Sequence, residues 1–253
     1  MAEPIRTTVD GAVATVTLSK SPHNLIDGAL IDDLIDAFDA AAVGGARAIL
    51  LNSDLKHFCA GADVDGLGGS SGRQRPAADV LGRLEGVPIP TVAAVNGLAL
   101  GGGFELALAC DFIVAGSSAR LGLVETTLGL APLLGGVQRV VDRAGIARGK
   151  EIAMFGRRHD PAALERWGIV NLVVDDHELG GASMSFARQL AAGPTVANGA
   201  IKRLAAITVR DGVVAADEAQ EREVEPVWAS DDLATGFRAF AETGPGTAIF
   251  EGR

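Results

Sequence analysis

Two carboxylates in apolar surroundings are the strongest chemical signal in this 253-residue chain. The segment Gly101-Gly-Gly-Phe-Glu-Leu-Ala-Leu-Ala-Cys110 places three glycines before a helical run, with Glu105 one turn inside it. Glycines there let another group approach the backbone closely and leave the first helical N–H groups without partners in the helix. A first-turn glutamate kept only for the helix dipole needs a solvated face, which Phe104, Leu106, Ala107 and Leu108 do not offer. A helix with no polar face is a buried helix, so the pattern predicts that Glu105 is buried or lines a cavity. Glu125 stands twenty residues on, in Leu121-Gly-Leu-Val-Glu-Thr-Thr-Leu-Gly-Leu130, and is isolated among apolar neighbours in the same way. Alone it reads as a strand-end residue or a cap. Beside a buried Glu105 it makes a pair suited to general acid–base work, because burial and mutual repulsion separate the two proton affinities.

A third segment, His57-Phe-Cys-Ala-Gly-Ala-Asp63, sets small residues just after a short apolar strand. Its amides are free to point into a cleft, and with those of Gly101–Gly103 they could converge as donors on a developing oxyanion. A tight turn kept for packing is the alternative. His57 and Cys59 could form a thiol–imidazole pair, but turn residues beside a glycine-rich loop are the better reading. Other chemistries lack their patterns. No GxGxxG has dinucleotide-binding spacing. In Arg143-Ala-Gly-Ile-Ala-Arg-Gly-Lys150 the glycines are four apart rather than five, and Glu151 stands where a phosphate loop has Ser or Thr. The four histidines are scattered without metal-ligand spacing, and Cys59 and Cys110 belong to no CxxC. No metal is expected.

The elements that must position these groups are readable from apolar periodicity. Ile5–Val9 and Val13–Leu18 flank Asp10-Gly11 as a β-hairpin, with period-2 alternation in the second strand. Over 27–43, Leu30, Ile31, Leu34, Ile35 and Phe38 recur at three and four, predicting a helix with Asp27 as N-cap and Gly44-Gly45 as its stop. Ala48–Leu51 and Thr91–Val95 read as buried strands, and Asn96-Gly97 turns the chain into the Gly101 segment. Residues 66–72, Gly-Leu-Gly-Gly-Ser-Ser-Gly, read as a mobile surface segment rather than a linker. Strands and helices alternate to about residue 125, after which helical patterns dominate. From 178 onward only helices are expected, over about 178–192, 196–209, 213–229 and 231–242. The whole, 1–253, reads as one α/β domain with a core over about 1–195 and a helical C-terminal region over about 196–253. Helices 196–209 and 213–229 carry many small and few large apolar residues, so they are expected to bury their faces on a neighbouring subunit.

Composition narrows the classes of partner. The chain holds 22 Lys and Arg against 32 Asp and Glu, a formal charge of −10, which disfavours a nucleic acid. Aromatics reach only 4% and tyrosine is absent, so base-stacking platforms are not expected either. Glycine, at 33 residues, is about twice as frequent as usual. No apolar run approaches the ~18 residues of a membrane span, and with no long apolar segment in the opening residues a signal peptide is not expected. A cytoplasmic protein without membrane contact is expected.

Lys56-His-Phe-Cys-Ala-Gly-Ala-Asp63, Ala94-Val-Asn-Gly-Leu-Ala-Leu-Gly-Gly-Gly-Phe-Glu-Leu-Ala107 and Leu128-Gly-Leu-Ala-Pro-Leu-Leu-Gly-Gly-Val-Gln-Arg139, in this order and spacing, resemble the crotonase (enoyl-CoA hydratase/isomerase) superfamily. Weaker similarity runs from Ser21-Pro-His-Asn-Leu25 to Phe250-Glu-Gly-Arg253. The resemblance implies a ββα superhelical core, a C-terminal helical part that forms trimers or dimers of trimers, and an acyl-CoA thioester substrate. Coenzyme A then arrives with the substrate, and no separate cofactor is expected. Carried over by motif, the amides of Ala62 and Gly102 form the oxyanion hole, and Glu105 and Glu125 match the glutamate pair of the hydratase branch. Lys56, Ala60, Ala62, Asp63, Val64, Gly101, Leu133 and Leu134 fall at substrate-binding positions. Three positions depart from the family: Asp65 replaces a frequent Lys, Glu242-Thr-Gly244 replaces a basic pair, and Leu133-Leu134 replaces two small residues. Lys56 and Lys20 are the remaining candidate cations for coenzyme A phosphates. The two leucines either narrow the acyl pocket or turn into the core. Hydration of a 2-enoyl-CoA is the leading reading. An isomerase or another acyl-CoA lyase of the same fold, and a non-catalytic acyl-CoA-binding protein, are the alternatives.

Overall fold

The computed structural model describes residues 3–63 and 77–253. Near-continuous apolar strands build a sheet covered on both faces. β1 (Ile5–Asp10) and β2 (Val13–Leu18) pair antiparallel, turning at Gly11, where φ is +60°. β3 (Ala48–Ser53), β4 (Thr91–Val95), β6 (Phe112–Gly116) and β8 (Leu172–Val174) then add in parallel, in the order β1-β2-β3-β4-β6-β8. β5 (Leu98–Leu100) and β7 (Arg120–Gly122) form a separate two-stranded parallel sheet.

Side chains alternate between the two faces of the large sheet, as the pleat requires. Ala14, Val16, Ile49, Leu51, Ala93, Val95, Ile113 and Ala115 join the larger apolar core. That core is shared with α1 (Gly28–Val43) and α3 (Gly102–Leu108). Val13, Ala48, Leu50, Val92, Ala94 and Val114 face the other way, onto Leu179, Ala187 and Ala191 of α6 (Leu179–Ala192). Asp27 caps α1 as expected, its carboxylate accepting from Leu30 N at 2.9 Å. α2 (Ala77–Glu85) lies against α1. α4 (Gly136–Phe155) is broken at Gly145, where φ is +81°, and α5 (Pro161–Arg166) leads toward β8.

The hairpin, α1, β3, β4 and the four C-terminal helices stand where periodicity put them. β8 is a difference: helices were expected to dominate after residue 125, yet three residues, Leu172–Val174, complete the sheet beside β6. Pairing, rather than a pattern of its own, makes that segment a strand. The glycine-rich stretch 66–72, together with Val64 and Asp65, lies outside the described residues.

α7 (Thr195–Asp211), α8 (Val213–Trp228) and α9 (Asp231–Thr243) follow α6. Lys202 ties α7 to the sheet through Asp111 at 2.8 Å, and Asp111 also accepts from Thr91 N. Arg47 donates to Gly193 O, Thr195 Oγ1 and Phe250 O, while buried Asp232 accepts from the amides of Glu251 and Gly252. These bonds hold the final residues against the body of the molecule. By contrast Ile201, Val209, Val213, Val214, Trp228, Phe237 and Phe240 are 61–72% exposed, leaving an extensive apolar surface on α7–α9.

Candidate active site

Strand-type pairing aims the first donor. Ile26 N donates to Gly61 O and Asp63 N donates to Ile26 O, so residues 61 and 63 spend these groups on Ile26. The intervening N–H of Ala62 points the other way, as alternate residues of a paired strand do. Asn24 holds this loop from behind. It is buried, at φ +53°, and its Nδ2 donates to Ser53 Oγ, His57 O and Phe58 O.

The second donor comes from the start of α3. Gly101 has φ +50° and ψ −124°, a backbone that glycine adopts without strain. It turns β5 into the helix so that Gly102 stands as its first residue. A methyl group on Gly102 would lie 3.9 Å from Ala62 N, 3.0 Å from Ile26 Cδ1 and 3.8 Å from Leu134 Cδ1. The Ala62 amide thus lies beside the first residue of α3, between two apolar side chains, and neither it nor the Gly102 amide donates to a described group. Gly103 must also be glycine, since its Cβ would lie 2.2 Å from Cys59 O.

Every residue of α3 is buried, and Glu105 is 1% exposed. The loop before α4 holds its carboxylate: Oε1 accepts from Leu134 N at 2.9 Å and from Gly136 N at 2.7 Å. Gly136 has to be small, because its Cβ would lie 2.7 Å from Glu105 Cγ. Glu125 opens a 3₁₀ turn, Glu125–Leu128, rather than ending a strand. Its carboxylate reaches the head of α3, where a Cβ on Gly101 would meet Oε1 at 2.9 Å. Glu125 Oε2 is buried without a hydrogen-bond partner among the described residues. Burial pushes the Glu105 carboxyl up to about 7, against the two amides and with help from the charge of Glu125. Burial also lifts Glu125 above the usual carboxylate range. Two acids whose environments disfavour joint ionisation therefore flank the two free amides.

Of the residues singled out in the sequence, Ala62, Gly101, Gly102, Glu105, Glu125 and Leu134 converge here. Ala60 lies two residues before Ala62, its N donating to His23 O, and Asp63 is partly buried just after it. Val64 is outside the described residues. Lys56 is exposed beside His57, whose Nδ1 accepts from Leu98 N. Lys20 is engaged elsewhere, donating to Leu25 O and pairing with Asp27. The leucines separate: Leu134 packs against the core beside Ile26 and Gly102, while Leu133 is 39% exposed. Cys59 is no nucleophile, since burial pushes its thiol up to about 12 and its Sγ donates to Asn24 O. Among the described residues no cluster of metal-ligating side chains occurs.

Sequence reasoning missed Ile26 as a wall of the site, Asn24 as the brace of the loop, and Leu134 N and Gly136 N as the groups that hold Glu105. The last had a signal. Gly135-Gly136 before a helical run can offer amides to an anion, by the same logic applied to Gly101–Gly103.

The raised Glu105 carboxyl has a thermodynamic consequence with a definite sign. In the unfolded chain the group titrates near its ordinary value of 4.5, and in the fold near 7. The folded state binds the proton more tightly, so this stabilising contribution is complete below pH 4.5 and is lost as pH rises through 7. Between about pH 5.5 and 8 the parent should lose roughly 2 kcal/mol through this group. Glu105→Gln, neutral throughout, should gain that amount on the parent over the same range. Urea unfolding of both proteins at the two pH values checks this, and an unchanged difference between them would refute the assignment.

The sequence and the overall fold have counterparts among known proteins. The family model described as enoyl-CoA hydratase/isomerase matches residues 8–251. A probable enoyl-CoA hydratase of Rhizobium meliloti is 34% identical over 249 residues, covering 94% of this chain and 95% of its own. A carnitinyl-CoA dehydratase of Salmonella arizonae is also 34% identical, over 255 residues, covering 96% and 97%. The crystal structure of an enoyl-CoA hydratase subunit I from Geobacillus kaustophilus superposes with a TM-score of 0.90 at 33% identity, over 99% of both chains. With the fold and the family match in agreement, the chain belongs to the enoyl-CoA hydratase/isomerase family of the crotonase superfamily.

Proposed function

We propose that the protein hydrates a 2-enoyl-CoA to the 3-hydroxyacyl-CoA. The observation that carries this reading is the carboxylate pair, Glu105 buried and Glu125 partly buried with its Oε2 enclosed, beside the free amides of Ala62 and Gly102. The thioester oxygen accepts from both amides. As water adds to Cβ, negative charge builds on that oxygen and the amides stabilise the enolate, each such donor being worth roughly 2.7–4 kcal/mol. One carboxylate takes a proton from the water and the other delivers one to Cα. Mutual repulsion favours the singly protonated pair that this exchange requires. Protons are only relayed, so no cofactor enters the scheme. Elimination of water is the same path reversed, which accommodates a relative named a dehydratase. Lys56, exposed beside His57, is the proposed cation for the coenzyme A phosphates.

Mixing with crotonyl-CoA should abolish the enoyl-thioester ultraviolet absorbance. Glu105→Gln and Glu125→Gln should each lower kcat by about 10²–10⁴ with acyl-CoA affinity nearly unchanged. The double variant should be little worse than the poorer single, since residues acting as a unit are not additive. Near-normal hydration by Glu125→Gln would favour an isomerase or another lyase, and tight binding without turnover would favour a carrier of acyl-CoA.

The substrate is proposed to be short. Leu134, beside the amide pair, fills space that a long acyl chain needs, and packed interiors accept such added volume at a cost of about 1–3 kcal/mol. Across enoyl-CoA chains from C4 to C16, the parent should favour the short end. Leu134→Ala should gain on the long end, and Leu133→Gly should gain less because Leu133 is already exposed. A parent that prefers C12 or longer would overturn the pocket assignment.

The exposed apolar faces of α7–α9 are proposed to pack on other copies of the chain, in a trimer or a dimer of trimers. Sedimentation equilibrium at micromolar concentration should give a multiple of three chains. A monomeric mass would contradict the assembly.

A further inference from the structure

Arg143 is partly buried, yet no carboxylate accepts from it among the described residues. Its guanidinium ends on three backbone carbonyls instead: Nη2 donates to Leu108 O at 3.2 Å and Cys110 O at 2.6 Å, and Nη1 donates to Ile169 O at 3.1 Å. Leu108 is the last residue of α3 and Cys110 lies just beyond it. Carbonyls at a helix C-terminus have no partners within the helix and carry the negative end of its dipole, so a cation that donates to them is well placed.

The stretch of α4 before its break at Gly145 also touches the other half of α3. Gly136 N donates to Glu105 Oε1, and Val140, fully buried, lies between. Residues 136, 140 and 143 follow one another at intervals of four and three, which sets them on one face of a helix. A single stripe of α4 therefore grips α3 at two places, through the carboxylate that does the chemistry and through the carbonyls at the far end. α3 has only seven residues, Gly102–Leu108, too short to be held in place by its own hydrogen bonds. Its first residue supplies an oxyanion donor and its fourth supplies Glu105, so a tilt or slide of its end moves both.

We propose that Arg143 is a positioning residue, which by fixing the C-terminal end of α3 sets the aim of the Glu105 carboxylate and the Gly102 amide toward the substrate. The kinetic part of this rests on the hydratase reading. The geometric part does not.

The test uses Arg143→Met, which keeps much of the stem and removes the donors, and Arg143→Lys, which offers one nitrogen where arginine offers two. Turnover of crotonyl-CoA by Arg143→Met should fall about 10- to 100-fold with KM moving less than about threefold, as expected for reacting groups displaced by a fraction of an ångström to an ångström. Arg143→Lys should lie between it and the parent. The carboxyl ¹³C titration of Glu105 in unliganded protein, assigned by its loss in Glu105→Gln, supplies a readout that needs no substrate. Its midpoint should move down from the parent value in Arg143→Met as the loosened helix admits water. A lower thermal midpoint with parent-like kcat and titration would make Arg143 an ordinary cap and overturn the proposal. If Arg143→Met does not fold, Arg143→Lys decides, and parent values of both kcat and titration in it would overturn the proposal equally. If the parent itself leaves crotonyl-CoA unchanged, the hydratase reading fails and the titration alone decides the role of Arg143.

Discussion

A carboxylate placed inside an apolar helix needs partners that are neither water nor a full counter-charge. Glu105 finds them in the amides of Leu134 and Gly136. Much of the surrounding design follows from that bond pair. A salt bridge would hold the group ionised and so unable to exchange its proton near neutrality. Two amides satisfy one oxygen and still leave the proton affinity high. Arg139, on α4, is taken up in a fork with Glu85 and acts on Glu105 only at a distance.

Holding a carboxylate in this way requires close backbone approach, and this explains why the glycine content matters. At Gly103 a Cβ would run into the Cys59 carbonyl, at Gly97 into the Lys56 carbonyl and at Gly136 into Glu105 itself. Each contact lets two backbone segments lie closer than side chains allow. Together they bring the Ala62 loop, the head of α3 and the head of α4 to one point. The apolar strands below supply a floor buried on both faces, so the site is built on rigid elements and its loops are braced, as Asn24 braces the segment around His57.

Most of what depends on local pattern was legible in the sequence. Alternation gave the hairpin and the buried strands, the three-and-four spacing gave α1 with its cap, and the apolar setting of Glu105 gave its burial. What was not legible depends on pairing between distant segments. Glu125 meets Gly101 because β7 pairs with β5, and no pattern within 121–130 says so. Leu172–Val174 is too short to announce itself as a strand. Leu134 drew attention for its bulk, whereas its amide turns out to be one of the two groups holding Glu105. Arg143 was read only within a failed phosphate-loop match, though its spacing of seven from Gly136 marks the same helix face.

Gly101, with φ at +50° and the Glu125 carboxylate against it, and Gly103, with the Cys59 carbonyl against it, resist any side chain, while one at Gly102 would press on the tip of Ile26. Glu125 stands differently, on a 3₁₀ turn followed by exposed residues, with one oxygen that bonds to nothing among the described residues. Its replacement removes little from the fold. Evolutionary drift in this scaffold is thereby channelled: the proposed anchor for the thioester resists change, while the second proposed acid can be lost, moved or exchanged at small structural cost. Descendants of such a chain would keep the same handle on the substrate and change the reaction performed on it.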